Sequence, residues 1–197
     1  MFGAKGLTHI QGIAVGRPCQ IRFLVDPSRV LRAVISRECP TLQLVEELPQ
    51  QAKAAVVHAL LREIVGREYP PPSLESLQYF GRGITREQGM ALQKCDTAFI
   101  LDCSHPKSDV WTALRTASAL VEEIARMTGG LVRAEETREM FSPDAWQKKR
   151  LGSWTQDVPE ASSQTTIHAY NQGEYVRAIT LGMSKMGLPD VVVQEVP

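Results

Sequence analysis

One stretch near the middle of the chain, residues 96–132, most constrains the fold. It opens with a short apolar run, residues 97–101, whose length and polar flanks are typical of a strand covered on both faces. Pro106 closes this segment, which favours a strand over a helix. Leu131-Val132 predicts a second strand. We therefore expect a strand, a helix and a strand, with a right-handed crossover if both strands share a sheet.

The segment between these strands predicts a long amphipathic helix over residues 108–128. Ser108 can cap its first turn, and Gly129 can end it because glycine adopts a positive φ without a steric penalty. Apolar residues recur three and four positions apart and form one stripe: Val110, Leu114, Ala117, Val121 and Ile124. Such a stripe predicts a helix packed on one face of the sheet.

The first 72 residues predict a hairpin followed by a helix. Strands over residues 19–25 and 30–35 flank a turn at Asp26-Pro27-Ser28-Arg29. A helix is predicted over residues 49–65, where proline fits the first turn. Pro70-Pro71-Pro72 then favours a stiff, polyproline-like connector. Residues 1–72 are thus either an N-terminal subdomain or an extension of the α+β domain predicted for residues 73–197.

Two further helix starts and a closing meander complete the prediction. Thr85 and Gln88 form a capping-box pattern, and Ser142-Pro143-Asp144 places a cap, a proline and an acid in order. A hairpin is expected over residues 165–181, with its turn at Asn171-Gln172-Gly173. Val191-Val192-Val193 predicts a last strand covered on both faces. The fold class is α+β: a mixed sheet, the 108–128 helix packed on it, and a C-terminal antiparallel meander.

Composition argues against several functional classes. The 22 basic residues are balanced by 22 acidic ones and form no basic arm, so nucleic-acid binding is not expected. We find no signal peptide and no membrane span. The four cysteines have no CxxC spacing, which favours reduced thiols in a cytoplasmic protein. No phosphate-binding or metal-binding motif is present, so no cofactor and no metal is expected.

Two blocks in the second half carry a family resemblance. The first runs through Thr128-Gly129-Gly130-Leu131-Val132 and Glu136-Thr137-Arg138-Glu139-Met140-Phe141-Ser142 to Asp144-Ala145-Trp146. The second is Arg177-Ala178-Ile179-Thr180-Leu181-Gly182-Met183-Ser184-Lys185, followed by Gly187-Leu188-Pro189-Asp190. Over about residues 80–197 the chain resembles a family of bacterial proteins with a domain of unknown function. The resemblance supplies no catalytic positions. It implies further sequence after the last strand, so we expect a truncated or short member.

Asp102, Cys103 and His105 follow the central strand, where ligands gather in open α/β sheets. A Cys-His pair can act as nucleophile and base, and Asp, Cys and His can bind zinc. Cys103 and His105 are expected on one side of the strand and Asp102 on the other, with no fourth ligand nearby. A buried cysteine and a loop histidine is the simpler interpretation.

Three other groups are weaker candidates. His168 lies inside the predicted hairpin, where a half-exposed packing role is more usual than acid–base chemistry. Residues 135–139, including Glu136, offer acids and bases, although alternating charges usually mark a solvated edge. Lys185, between Gly182 and Gly187, could help to cradle an anion, whereas a tight turn is the simpler interpretation of the glycines.

Two functions from different classes follow from these patterns. The first is a non-enzymatic adaptor or regulatory domain that binds a protein partner, or a second copy of itself, through the C-terminal strand or the 49–65 helix. The second is a hydrolase or other small-molecule enzyme with a site near Asp102, His105 and residues 135–139. Convergence of His105, His168 and an acid would favour the enzyme.

Overall fold

The computed structural model of the chain describes residues 10–15, 27–63, 70–95 and 97–196. Its strands are Ile10–Val15 (β1), Gln43–Val45 (β2), Val56–Glu63 (β3), Gly81–Arg82 (β4), Thr97–Ser104 (β5), Leu131–Ala134 (β6), Glu139–Phe141 (β7), Trp154–Thr155 (β8), Val158–Pro159 (β9), Thr166–Gln172 (β10), Tyr175–Leu181 (β11) and Val192–Val196 (β12). Its α-helices are Pro27–Glu38 (α1), Leu74–Phe80 (α2), Arg86–Leu92 (α3), Val110–Thr128 (α4), Pro143–Trp146 (α5) and Ala161–Gln164 (α6). Gln147–Leu151 is a π-helical turn, and Lys107–Asp109 and Met183–Met186 are 3-10 turns.

Seven strands form one mixed sheet in the order β2-β3-β5-β1-β6-β7-β4. Neighbouring strands are antiparallel, except that β2 and β3, and likewise β4 and β7, run parallel. β5 lies inside the sheet between β3 and β1, which explains why its sequence is apolar on both faces. The α+β class with a mixed sheet is confirmed.

The predicted strand-helix-strand unit is present, with an additional strand inside it. β5 and β6 belong to one sheet, but β1 lies between them and pairs antiparallel with both. Gly129 ends α4 with a φ of 65°, as its position predicted. Ser108 does not cap the helix; it sits in the preceding 3-10 turn, and Asp109 is the capping residue without a side-chain bond.

Helices α1 and α4 cover one face of the sheet. The stripe predicted for α4 is confirmed, except that Val110 is half-buried rather than buried. The buried residues of this layer include Leu31, Val34, Val57, Phe99, Leu101, Leu114, Leu120, Val121, Ile124, Val132, Phe141 and Trp146. This layer is the larger core, because two helices bury their apolar stripes against one sheet face.

Helices α2 and α3 cover the opposite face. Leu92 packs there with Ala98, Ile100, Leu131 and Met140. The capping box predicted for α3 is confirmed: Gln88 N donates to Thr85 Oγ1 at 3.2 Å, and Thr85 N donates to Gln88 Oε1 at 2.9 Å. The sheet is therefore the middle of three layers.

Two predictions in the N-terminal part are wrong. Residues 30–35 belong to α1, because Pro27 suits a first helical turn and Leu31, Val34 and Ile35 have helical spacing. The 49–65 helix is absent, since β3 pairs with β5 along its whole length, and this pairing overrides the helical periodicity. The strand predicted over 19–25 lies outside the described residues. β1, β2 and β3 all join the main sheet.

The C-terminal meander is confirmed as a sheet of its own, in the order β10-β11-β12. One face turns toward the rest of the molecule, where the His168 ring stacks on Phe80 with centroids 4.9 Å apart. The expectation that the last strand is covered on both faces is wrong, because Val191, Val192 and Val193 are all exposed. β12 lies at the edge of this sheet rather than inside it.

Candidate functional site

Charged side chains are buried where β7, the π-helical turn and the 183–186 turn meet. We call this group the buried charge cluster, and its members are Arg82, Glu136, Glu139, Lys149, Arg150 and Lys185. Glu139 is 0 % exposed, Arg150 1 % and Lys185 3 %. Because removing charges from water costs free energy unless they are paired, this arrangement requires an explanation beyond packing.

β7 places Glu139 on the inner side of the fold. The turn before the strand includes Arg138, which has a φ of 59°. Side chains alternate along a strand, so Glu139 points to the same side as Phe141, a member of the larger core. The predicted solvated edge at residues 135–139 is therefore wrong for Glu139 and Thr137, which are buried, whereas Arg138 is exposed.

The π-helical turn brings two cations to the same acid. Ser142 caps α5 as predicted, since its Oγ accepts from Ala145 N at 3.2 Å, and Pro143 takes the first helical position. Trp146 anchors the end of α5 by donating from Nε1 to the Ser118 carbonyl at 2.9 Å. The wider turn that follows lets the consecutive residues Lys149 and Arg150 both reach Glu139. π-helical turns of this kind are frequent at functional sites.

Glu139 is bonded to three cations. Its Oε1 accepts from Arg82 Nε at 2.9 Å and from Lys149 Nζ at 3.0 Å, and its Oε2 accepts from Arg150 Nη2 at 2.9 Å. Burial by itself would raise the pKa of Glu139. The positive charges, Arg150 first, outweigh that effect and lower the pKa below its usual value. The carboxylate is therefore ionised at neutral pH.

Arg150 is held on several sides. Its Nη2 also donates to Thr137 Oγ1 at 3.1 Å, its Nη1 donates to the Ser163 carbonyl, and its guanidinium lies 5.0 Å from the Phe141 ring centroid. Its buried Nε has no hydrogen-bond partner among the described residues. Burial lowers the pKa of Arg150 and the Glu139 charge opposes that shift. The group stays protonated because arginine does not lose its proton in proteins.

Lys185 enters the cluster from the Met183–Met186 turn. Gly182 and Gly187 flank this turn with φ of 96° and 74°. A Cβ on Gly182 would lie 2.7 Å from Thr137 Cγ2 and 3.2 Å from Lys185 Cε, so glycine permits the close approach. Burial, followed by the positive charge of Arg150, lowers the pKa of Lys185 to about 7. The tight turn predicted at these glycines is therefore confirmed, and the anion cradle stays a prediction.

The candidates at the end of β5 have immediate neighbours that differ from those of the buried charge cluster. Cys103 is buried, and burial raises the pKa of its thiol far above the usual range, which opposes a nucleophilic thiolate. His105 is also buried, with Nδ1 2.9 Å from the Pro106 carbonyl oxygen. Asp102 Oδ2 lies 3.9 Å from His58 Nδ1. The Cys39, Cys95 and Cys103 side chains are all buried.

The structure brings only some of the predicted groups together. The charge of Glu136 acts on Cys103, Arg150 and Lys185, so this acid links the end of β5 to the buried charge cluster. His168 instead stacks on Phe80. Within the described ranges, no hydrogen bond or ion pair joins His105 to His168. A hydrolytic site at these residues stays a prediction.

Arg150 and Gln164 are polar residues of this site that sequence reasoning missed. Arg150 belongs to the basic run Lys148-Lys149-Arg150, which looks like an exposed helix end. Gln164 is buried and donates from Nε2 to the Arg150 carbonyl at 3.1 Å. The sequence carries one signal of this contact, a basic run about ten residues after the acid of β7. That signal identifies Arg150 only if the basic run is assumed to form a π-helical turn.

Comparison with protein-family models, curated proteins and solved structures gave no match to the chain. In the described ranges, three or more His, Cys, Asp or Glu side chains do not gather in a way that could hold a metal ion. None of the helices described here is long and apolar enough to span a membrane.

Proposed function

We propose that the chain is a non-enzymatic interaction module of the bacterial cytosol that binds a protein partner along the outer edge of β12. One observation carries this proposal: β12 is the outermost strand of its sheet, and three consecutive valines, Val191 to Val193, are exposed there. An exposed strand edge is a template for pairing with another chain. The spacing of the cysteines, which includes no CxxC pair, fits a reducing compartment.

The backbone of β12 determines which groups face outward. Val191 faces β11, because Thr180 N donates to its carbonyl at 2.9 Å and its own N–H donates to Thr180 Oγ1 at 2.7 Å. Residues of an antiparallel strand alternate between facing the neighbour and facing away. Val192 therefore directs its N–H and C=O outward, where an added strand would form its hydrogen bonds.

An apolar surface adjoins this edge. The strand register aligns Ile167 with Thr180, and Val193 with Ala178, so these residues share one face of the C-terminal sheet. Ile167 is 70 % exposed, Val191 53 % and Val193 49 %. Contiguous exposed apolar surface on a protein commonly marks an interaction site. Backbone pairing would give affinity, and side chains of the partner on this face would add specificity.

The test is a quantitative pull-down from a bacterial lysate, with light-scattering chromatography of the purified chain. Val192→Pro removes the outward N–H while leaving the β11 pairing in place, and Val192→Thr is the matched control that keeps it. We expect a partner, or a second copy, to bind wild type and Val192→Thr and to be lost with Val192→Pro. Equal recovery with all three chains would refute the proposal.

A further inference from the structure

The buried charge cluster has more positive than negative groups. Its cations are Arg82, Lys149, Arg150 and Lys185, and its acids are Glu136 and Glu139. Both oxygens of Glu139 are already occupied by the first three cations. In the described ranges Lys185 forms no ion pair within 4.0 Å, although it is 3 % exposed. The charges of Glu136 and Glu139 favour the ammonium form of Lys185, but within the described residues neither acid forms an ion pair with it. A buried ammonium group without a counter-ion in direct contact is costly.

Two cationic side chains of this cluster, Arg150 and Lys185, lie close enough for the charge of Arg150 to lower the pKa of Lys185. The buried Nε of Arg150 has no hydrogen-bond partner in the described part of the chain, and Lys185 has no ion pair there. Gln164 connects the two residues. Its side-chain Nε2 donates to the Arg150 carbonyl, and its backbone carbonyl oxygen lies 3.3 Å from the position that a Cβ on Gly182 would take, beside Lys185. Gln164 Oε1 is a buried acceptor that also has no partner among the described residues, but it belongs to a neutral amide and supplies no negative charge. Buried polar groups normally have hydrogen-bond partners, and the surplus of positive groups favours a further acceptor that carries negative charge.

We propose that Arg150 and Lys185 form a binding site for a small oxyanion, phosphate or carboxylate, inside the buried charge cluster. Two cationic donors require an acceptor with negative charge, and charge-assisted bonds to phosphate or carboxylate are the strong ones. The ligand is small because the donors are almost fully buried. Arg82 and Lys149, whose side chains are 34 % and 29 % exposed, are the members of the cluster that solvent reaches.

Anion binding at this position also moves a proton. Lys185 has a pKa of about 7 because of burial and the Arg150 charge. An anion beside it favours the ammonium form, so the lysine takes up a proton when the ligand binds above that pH. A surface anion, held by lysines that are already charged, would cause no such uptake.

Isothermal titration calorimetry of the full chain tests the proposal. Sodium phosphate and sodium acetate are titrated separately, with sodium chloride holding the ionic strength constant, and the arm that saturates identifies the anion. We expect Lys185→Met to weaken binding by about tenfold or more. Lys148→Met, which removes an exposed lysine from the same π-helical turn, should bind like wild type. Val192→Pro, which tests the β12 edge, should also bind the anion like wild type. A failure of the anion site can therefore be distinguished from a failure of the proposed function.

The proposal is overturned if neither anion shows saturable binding to wild type, or if Lys185→Met and wild type bind equally. If Lys185→Met fails to fold, the titrations of wild type and the protons that it binds with the anion decide whether the site exists. Titrations at about pH 8 in buffers of different ionisation enthalpy measure the protons bound with the anion. Net proton uptake supports the site, and its absence overturns it.

Discussion

At the scale of single residues, Glu139 illustrates how burial changes what a charge contributes to stability. It has no exposed surface, and it forms ion pairs with Arg82, Lys149 and Arg150. Asp157 also pairs with an arginine, Arg115, at 2.7 Å, but its side chain is 90 % exposed. Solvent screens the exposed pair of Asp157 but not the buried pairs of Glu139. Ion pairs of similar length therefore contribute differently to stability.

Replacing Glu139 with Gln should therefore be strongly destabilising. The change keeps the shape but leaves the cations without their acid, and breaking a buried pair costs roughly 3–5 kcal/mol. Asp157→Asn is the matched control, since asparagine tolerates the φ of 64° at this position. Asp157→Asn should lower the free energy of unfolding by only a small fraction of the loss expected for Glu139→Gln. Urea denaturation measures both, and equal losses would mean that Glu139 is not buried as described.

Lys185 should make stability depend on pH. Its pKa is about 7 in the folded chain, whereas an unfolded lysine titrates near 10.4. Between these values the unfolded state binds more protons, so stability rises with pH. Below both pKa values the lysine is protonated in the folded and in the unfolded chain, so it no longer makes stability depend on pH. Between about pH 6 and pH 8 the deprotonation of this lysine should raise the free energy of unfolding by about 1 kcal/mol.

The measurement is the free energy of unfolding of wild type minus that of Lys185→Met at each pH, which removes the contributions of the other titrating groups. A difference that stays flat across this range, or falls as pH rises, would contradict the assignment.

At the scale of elements, local signals were predictable and long-range ones were not. The capping box at Thr85, the cap at Ser142 and the glycine end of α4 depend on residues a few positions apart. β3 depends on pairing with β5, about forty residues later, and its helical periodicity gave no indication of that partner. The buried charge cluster is long-range for the same reason, because it joins β7, the π-helical turn and Lys185.

The apolar stripe of α4 can be tested by truncating one side chain. Leu114 is 1 % exposed in the larger core. Leu114→Ala should lower the free energy of unfolding by roughly 2–5 kcal/mol, because the cavity adds to the lost burial. Thr112→Ala, an exposed position on the same helix, should change stability little. Chemical denaturation that shows less than about 1 kcal/mol lost for Leu114→Ala would mean that this face is not buried.

At the scale of the whole molecule, the two sheets differ in how completely they are covered. The seven-stranded sheet has helices on both faces, whereas the C-terminal sheet has one face toward the body and one toward solvent. The sequence of the last strand predicted burial because it is uniformly apolar. An apolar strand at an exposed edge instead suits a surface that is covered when a partner pairs with it.

Site-specific photo-crosslinking tests this central claim most directly. A photoreactive residue is placed at Val192, and, as the control, at Met127, which is exposed to 54 % against 41 % for Val192. Random collisions should therefore label position 127 at least as often. In bacterial cells we predict discrete protein adducts from position 192 and only background from position 127. Equal adduct patterns from the two positions, or none from position 192, would contradict a partner-binding edge at β12.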